Sequence, residues 1–278
     1  MNWILEPFQY GFMLRGLLAS MMVGVLCAIM GTYVVIRGMA FMGDAMAHAI
    51  LPGVAVAYLL EANLLVGALV AAIVVALGIG LFSKGGTVKE DTAIGILFAA
   101  ALALGVAMIS SIQTYAVDLS HILFGDVLGV SSGDLWLTGL LGFLVLLIVA
   151  INFKQFMVIS FDPVLAATLR LPAKFLKNLM LVLLAITVVI SLQTVGVSLS
   201  VAMLITPAAT AYLLTRRLFS MMVISSLIGA LSSLIGLYIS FFLNIVSGSA
   251  IVLTATFFFI LVFLFNPRRG ILINRQRS

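Results

Sequence analysis

Gly43-Asp44-Ala45-Met46-Ala47-His48-Ala49-Ile50-Leu51-Pro52-Gly53 sets a carboxylate and an imidazole four residues apart in otherwise apolar surroundings. A helix would bring both onto one face. An ionisable side chain in hydrocarbon costs about 2.5–3.5 kcal/mol on insertion scales, so a pair of them calls for a function. Carboxylate oxygen is a hard donor and imidazole nitrogen a borderline one, which together suit Mn²⁺, Fe²⁺ or Zn²⁺. The stretch therefore reads as a membrane span carrying an ion path. Two plainer readings stand beside it: Asp44 as the N-cap of a helix, and His48 as a neutral core histidine bonded to a carbonyl or to Asp44. Neither excludes ligation.

Outward from this stretch the composition is that of a polytopic membrane protein. Of 278 residues, 64% are hydrophobic and 8% charged, where a soluble domain has roughly 25% charged. Lipid leaves the backbone to satisfy itself, so spans are helices or closed barrels. Apolar runs of about 20 residues choose helices. Cys27 is the single cysteine, which excludes a disulfide framework and a thiolate metal cluster. No basic n-region or cleavage site marks a removable signal peptide.

The fold class is thus all-α, with about nine transmembrane helices. Expected spans run from about Leu14 to Ile36, Phe41 to Leu60, Leu64 to Phe82, Thr92 to Ile112, Leu135 to Phe153, Asn178 to Leu192, Val197 to Leu214, Phe219 to Leu243, and from Gly248 to Phe265. Eight spans is the alternative count. Gln113 to Asp134 reads as a loop with a short helix, and Lys154 to Lys177 as a polar interval. Nine spans put the termini on opposite sides. With the C-terminus cytoplasmic, Arg37, Lys84, Lys89, Lys154, Arg170, Lys174, Lys177, Arg216, Arg217 and the tail arginines all lie inside. Only Arg15 is left at the outer end, as the positive-inside rule favours. The N-terminus is then outside.

Within the polar interval, Asp162 and Pro163 read as the N-cap and first residue of a short helix that stops before Pro172. Docking against a protein and lying on the lipid surface fit this helix equally well. No phosphate-binding Gly-x-x-x-x-Gly-Lys-Ser/Thr loop, Gly-x-Ser-x-Gly elbow or His-Glu-x-x-His motif occurs, so no catalytic residue and no cofactor are expected. Uphill transport would draw on a partner or an ion gradient. Met30, Met39, Met42 and Met46 read as core fillers rather than thioether ligands.

Arg37 to Ala55, with Met39-Ala40-Phe41-Met42-Gly43-Asp44 and His48-Ala49-Ile50-Leu51-Pro52-Gly53, resembles the signature of permease subunits of manganese/zinc/iron ABC importers. Ser160-Phe161-Asp162-Pro163 with Ala166-Ala167 agrees, as does Gln193-Thr194-Val195-Gly196 leading to Thr206-Pro207-Ala208-Ala209-Thr210. The resemblance implies one transmembrane permease domain over residues 1–278, similar to type II importers, with a cytoplasmic coupling segment at 154–177. It implies two permease copies, two cytoplasmic ABC ATPases and an extracytoplasmic metal-binding protein, in a bacterial plasma membrane and with no nucleic acid. Asp44 and His48 match the positions proposed to bind the ion. Asp162, Pro163, Ala166, Ala167 and Leu171 match the ATPase-coupling segment, which tips the short helix towards docking. His121 and Asp118 are candidates for an outer gate. The Met-Ala-Phe-Met-Gly-Asp form looks more like manganese-type members, with zinc or iron(II) as alternatives. A proton-coupled secondary transporter using Asp44 and His48 as a relay is the rival class, but no inverted repeat of broken helices supports it. A membrane enzyme would need more polar groups near the surface.

Overall fold

Long apolar runs become long helices, some of which end where an arginine or a glycine follows the run, as at Arg37 and Gly196. The computed structural model describes residues 9–83, 88–110 and 127–266. Among them the chain forms α1 (Gly11–Ile36), α2 (Met42–Ala49), α3 (Leu51–Leu59), α4 (Leu64–Phe82), α5 (Glu90–Ser110) and α6 (Ser132–Ile151). Then come α7 (Phe153–Phe161), α8 (Pro163–Thr168), α9 (Ala173–Val195), α10 (Val197–Leu214), α11 (Leu218–Leu243) and α12 (Ser247–Phe265). Taking α2 and α3 as one broken span, nine helices among the described residues are long and apolar enough to cross a bilayer. Pro52 has no N–H for the carbonyl of His48, four residues earlier, and the helix breaks at Ile50.

α1 and α9 form the centre: 67% of an apolar 18-residue stretch in each is buried, against 22% in α4, α5, α6 and α12, which leave most of their apolar surface for lipid. α1 packs most extensively on α10 and α11, and α4 on α9 and α3. Without a hydrophobic drive between helices in lipid, close approach of small residues holds such a bundle together. A Cβ on Gly31 would sit 1.7 Å from the Leu204 carbonyl oxygen, so α1 and α10 meet there only because residue 31 is glycine. Hydroxyls add to the seam: Ser233 Oγ donates to the carbonyl of Ser20 at 3.0 Å, and Ser225 Oγ to that of Ala28 at 3.3 Å.

The ends of the spans are chemically unlike. At one end, Glu90 accepts hydrogen bonds from Arg37 Nη2 at 2.9 and 3.2 Å and pairs with Lys177. These contacts bring the end of α1 and the starts of α5 and α9 to the same level. Burial lowers the pKa of the Arg37 guanidinium from its ordinary value, and the Glu90 charge opposes that shift. At the other end, Asp134 and Ser131 form a capping box that starts α6, and Gln193 at the end of α9 reaches Asp134 at 3.4 Å.

Two expectations need correction. Asp44 is not an N-cap: α2 begins at Met42, Phe41 holds the cap position, and Asp44 lies inside the first turn. The interval from Lys154 to Lys177 is largely helical. Phe153–Phe161 forms α7, whose Phe156 and Ile159 are buried three residues apart. Lys174 and Lys177 belong to α9, which starts at Ala173 rather than near Asn178.

Candidate ion site and coupling surface

α2 is short, and burial sorts its residues cleanly. Met42, Gly43, Ala45, Met46, Ala47 and Ala49 pack inward, which leaves Asp44 and His48 on the remaining face. Their side chains are 42% and 29% exposed, with His48 Nε2 at 3.6 Å from Asp44 Oδ1. That separation leaves both groups free to take a third atom between or beside them. The acid sits in the first turn and the histidine in the last, which is the orientation the helix dipole favours. On α5, the Phe98 ring lies 6.1 Å from the imidazole and edge-on to Phe41 at 5.6 Å. Phe98 thus braces the outer face of α2 and limits where the imidazole can swing.

The wall opposite is α10. Gly196, with φ at +80°, turns the chain from α9 into α10, a conformation open to glycine. A side chain at residue 43 would meet Leu204 at 2.7 Å, so Gly43 lets α10 approach α2. Between the two helices lies a cleft of ≈530 Å³ lined by Asp44, His48, Ser198, Val201, Ile205 and Thr206, among others. Ser198, Val201, Ile205 and Thr206 recur at helical spacing along one face of α10. That periodicity is visible in the segment from Gln193 to Ala211, but spacing alone does not tell a cleft wall from a packing face.

The polar groups of the cleft offer oxygen and nitrogen, beside the aliphatic Val197, Val201, Ala202 and Ile205. Met39, Met42 and Met46 are buried in the core, so their thioethers are packing groups. Among the described residues no three His, Cys, Asp or Glu side chains cluster as a metal site. One chain therefore offers one carboxylate and one imidazole, with the hydroxyls of Ser198 and Thr206 in the same cleft. His121 and Asp118 lie outside the described residues.

The other sequence-predicted group stands apart from the cleft. Asp162 Oδ1 accepts from the backbone N–H groups of Val164 and Leu165, both at 2.9 Å, and Pro163 occupies the first turn of α8. Ala166 is fully buried against the bundle, while Ala167 is exposed and Leu171 is partly buried. The rest of the segment presents apolar side chains outward: Phe161, Val164, Leu165 and Leu169 are 44–73% exposed. Beyond α8, Arg170 adopts φ +51°. Its N–H and that of Leu171 bond to the carbonyls of Ala167 and Ala166, closing the helix sharply.

A family model described as the ABC 3 transport family matches residues 9–266. The manganese transport system membrane protein MntC of Listeria innocua is 48% identical over 270 residues, spanning 97% of this chain and 96% of its own. The chelated iron transport system membrane protein YfeD of Yersinia pestis is 41% identical over 263 residues, spanning 95% of this chain and 88% of its own. Among solved structures, a chain of PsaBC from Streptococcus pneumoniae in complex with Fab is 39% identical with a TM-score of 0.85. That match covers 100% of this chain and 99% of the other.

Proposed function

Because the chain belongs to the ABC 3 transport family, we propose that it is the membrane-spanning subunit of an ATP-driven manganese importer of a bacterial plasma membrane. The observation that carries this reading is the cleft between α2 and α10, where Asp44 and His48 face hydroxyl-bearing residues inside a bundle of apolar helices. Intramembrane ionisable groups line substrate paths by preference. The carboxylate of Asp44, with hydroxyl-bearing Ser198 and Thr206 lining the same cleft, suits Mn²⁺, a comparatively hard ion. The relative named for manganese stands at 48% identity and the one named for chelated iron at 41%, which favours manganese as cargo over iron(II) or zinc.

The ion passes Asp44 and His48 during import. Two strong donors per chain fall short of a full coordination sphere, so a second copy of the chain supplies the facing pair across a homodimer. The C-terminus and the basic end of the bundle face the cytoplasm. There, the exposed apolar residues of α8 and its flanks dock on a cytoplasmic ABC ATPase, which hydrolyses ATP for the complex. An extracytoplasmic metal-binding protein delivers the ion from the other side. Residues 1–278 form one permease domain, with 154–177 as its coupling segment.

The test is uptake into proteoliposomes holding the permease, its ATPase and its binding protein, with Mn²⁺, Fe²⁺ and Zn²⁺ offered together. ATP-dependent accumulation of Mn²⁺ that survives collapse of the proton gradient is expected. Accumulation that needs the gradient and ignores ATP would replace this reading with a secondary transporter.

A further inference from the structure

Glu90 is a carboxylate at the convergence of four helix ends, those of α1, α4, α5 and α9. Both of its oxygens accept from Arg37 Nη2, and Oε1 also pairs with Lys177 Nζ. Lys177 donates in turn to Ser83 Oγ at 2.9 Å, at the end of α4, and Arg37 Nη1 reaches Met180 Sδ at 3.6 Å. The three charged side chains are only 13–24% exposed. Shielded in this way, the pairs escape most of the screening that makes exposed ion pairs weak. An unpartnered charge left there is strongly disfavoured.

The placement of the three residues matters more than their number. Lys177 lies on the first turns of α9, and α9 is separated from α8 only by Leu169 to Pro172. Arg37 is the C-cap of α1, in a tight turn closed by Gly38 at φ +68° and by Met39 N–H bonding to the Val34 carbonyl. That turn runs directly into α2, which carries Asp44 and His48. Glu90 itself begins α5, whose Phe98 braces His48 and Phe41. The carboxylate thus joins the helix that follows α8 to the turn leading into α2, which carries Asp44 and His48, and to α5, which braces His48.

We propose that Glu90 is a positioning residue for energy coupling: through Arg37 and Lys177 it transmits displacement of α8 to α2 and α5, so that access to the cleft follows the ATPase cycle. This rests on the importer reading above. A packed bundle is bistable rather than continuously deformable, and a salt-bridged junction of helix ends moves as a unit while its charges stay paired.

The experiment measures ATP hydrolysed per Mn²⁺ imported, in proteoliposomes of the complete complex, for wild type, Glu90→Gln, Glu90→Asp and Lys177→Gln. A merely structural role would lower hydrolysis and uptake together and leave their ratio unchanged. The expected result is a ratio raised at least about fivefold in Glu90→Gln and less in Lys177→Gln, with Glu90→Asp near wild type. An unchanged ratio in both glutamine variants overturns the inference. If Glu90→Gln fails to assemble, Lys177→Gln decides by the same criterion. Absence of ATP-driven uptake in wild type would instead overturn the importer reading, and the inference with it.

Discussion

At the residue scale, two positions show how backbone geometry and packing set limits that the hydrophobic pattern alone does not. Glu61 closes α3 at φ +51°, with Ala62 N–H bonding to the Ala57 carbonyl at 2.8 Å. Left-handed backbone disfavours a side chain by about 1–2 kcal/mol, so Glu61→Gly should stabilise the protein by about 1 kcal/mol. A thermal shift in detergent would show a higher midpoint, and a lower one would refute the strain argument. Gly31→Ala should do the reverse, because its Cβ would lie 1.7 Å from a backbone carbonyl that cannot rotate away. Overpacking typically costs about 1–3 kcal/mol; a loss at or beyond the upper end is expected, read as poor recovery of monodisperse protein. Asp44 and His48 were legible as a pair from their spacing. That Asp44 lies within the first turn of α2 was not, because a glycine before an aspartate is also how a capped helix begins.

At the scale of elements, α8 carries the clearest local code. Asp162 caps it with two backbone bonds, Pro163 opens it, and its apolar Val164 and Leu165 are left exposed by the described residues. Removing an N-cap costs about 1 kcal/mol, too little to unfold nine spans but enough to fray a helix of two turns. Asp162→Ala should therefore leave the permease folded and weaken its hold on the ATPase several-fold, as co-purification at graded salt or direct titration would reveal. Full-strength binding would remove α8 from the docking surface. The span limits were largely readable, since Leu64–Phe82 and Val197–Leu214 end where the apolar runs end. The start of α9 was missed because Lys174 and Lys177 look like loop residues. Their long apolar stems run along a helix, and the Lys177 charge is answered by Glu90, far away in sequence. The same distance hides the Arg37–Glu90–Lys177 junction from any local pattern. α7 offered a signal, Phe156 and Ile159 at i and i+3, which the polar flanks obscured.

At the scale of the whole molecule, import requires the basic end inside and the cleft on the route of the ion. The lone cysteine, Cys27, is fully buried, which gives an unreactive background for labelling. A cysteine at Glu61 should react with a membrane-impermeant maleimide in intact cells, and cysteines at Lys154 or Arg216 only after permeabilisation. The reverse pattern would invert the topology. The most direct measurement is Mn²⁺ accumulation, by mass spectrometry, in cells lacking their own manganese importer and expressing the permease with its ATPase and binding protein. Asp44→Ala and His48→Ala should each assemble as wild type does and reduce uptake at least about tenfold, beyond what a lost packing contact at a partly exposed site would produce. Undiminished Mn²⁺ uptake in both assembled variants would contradict the claim that the ion passes between α2 and α10.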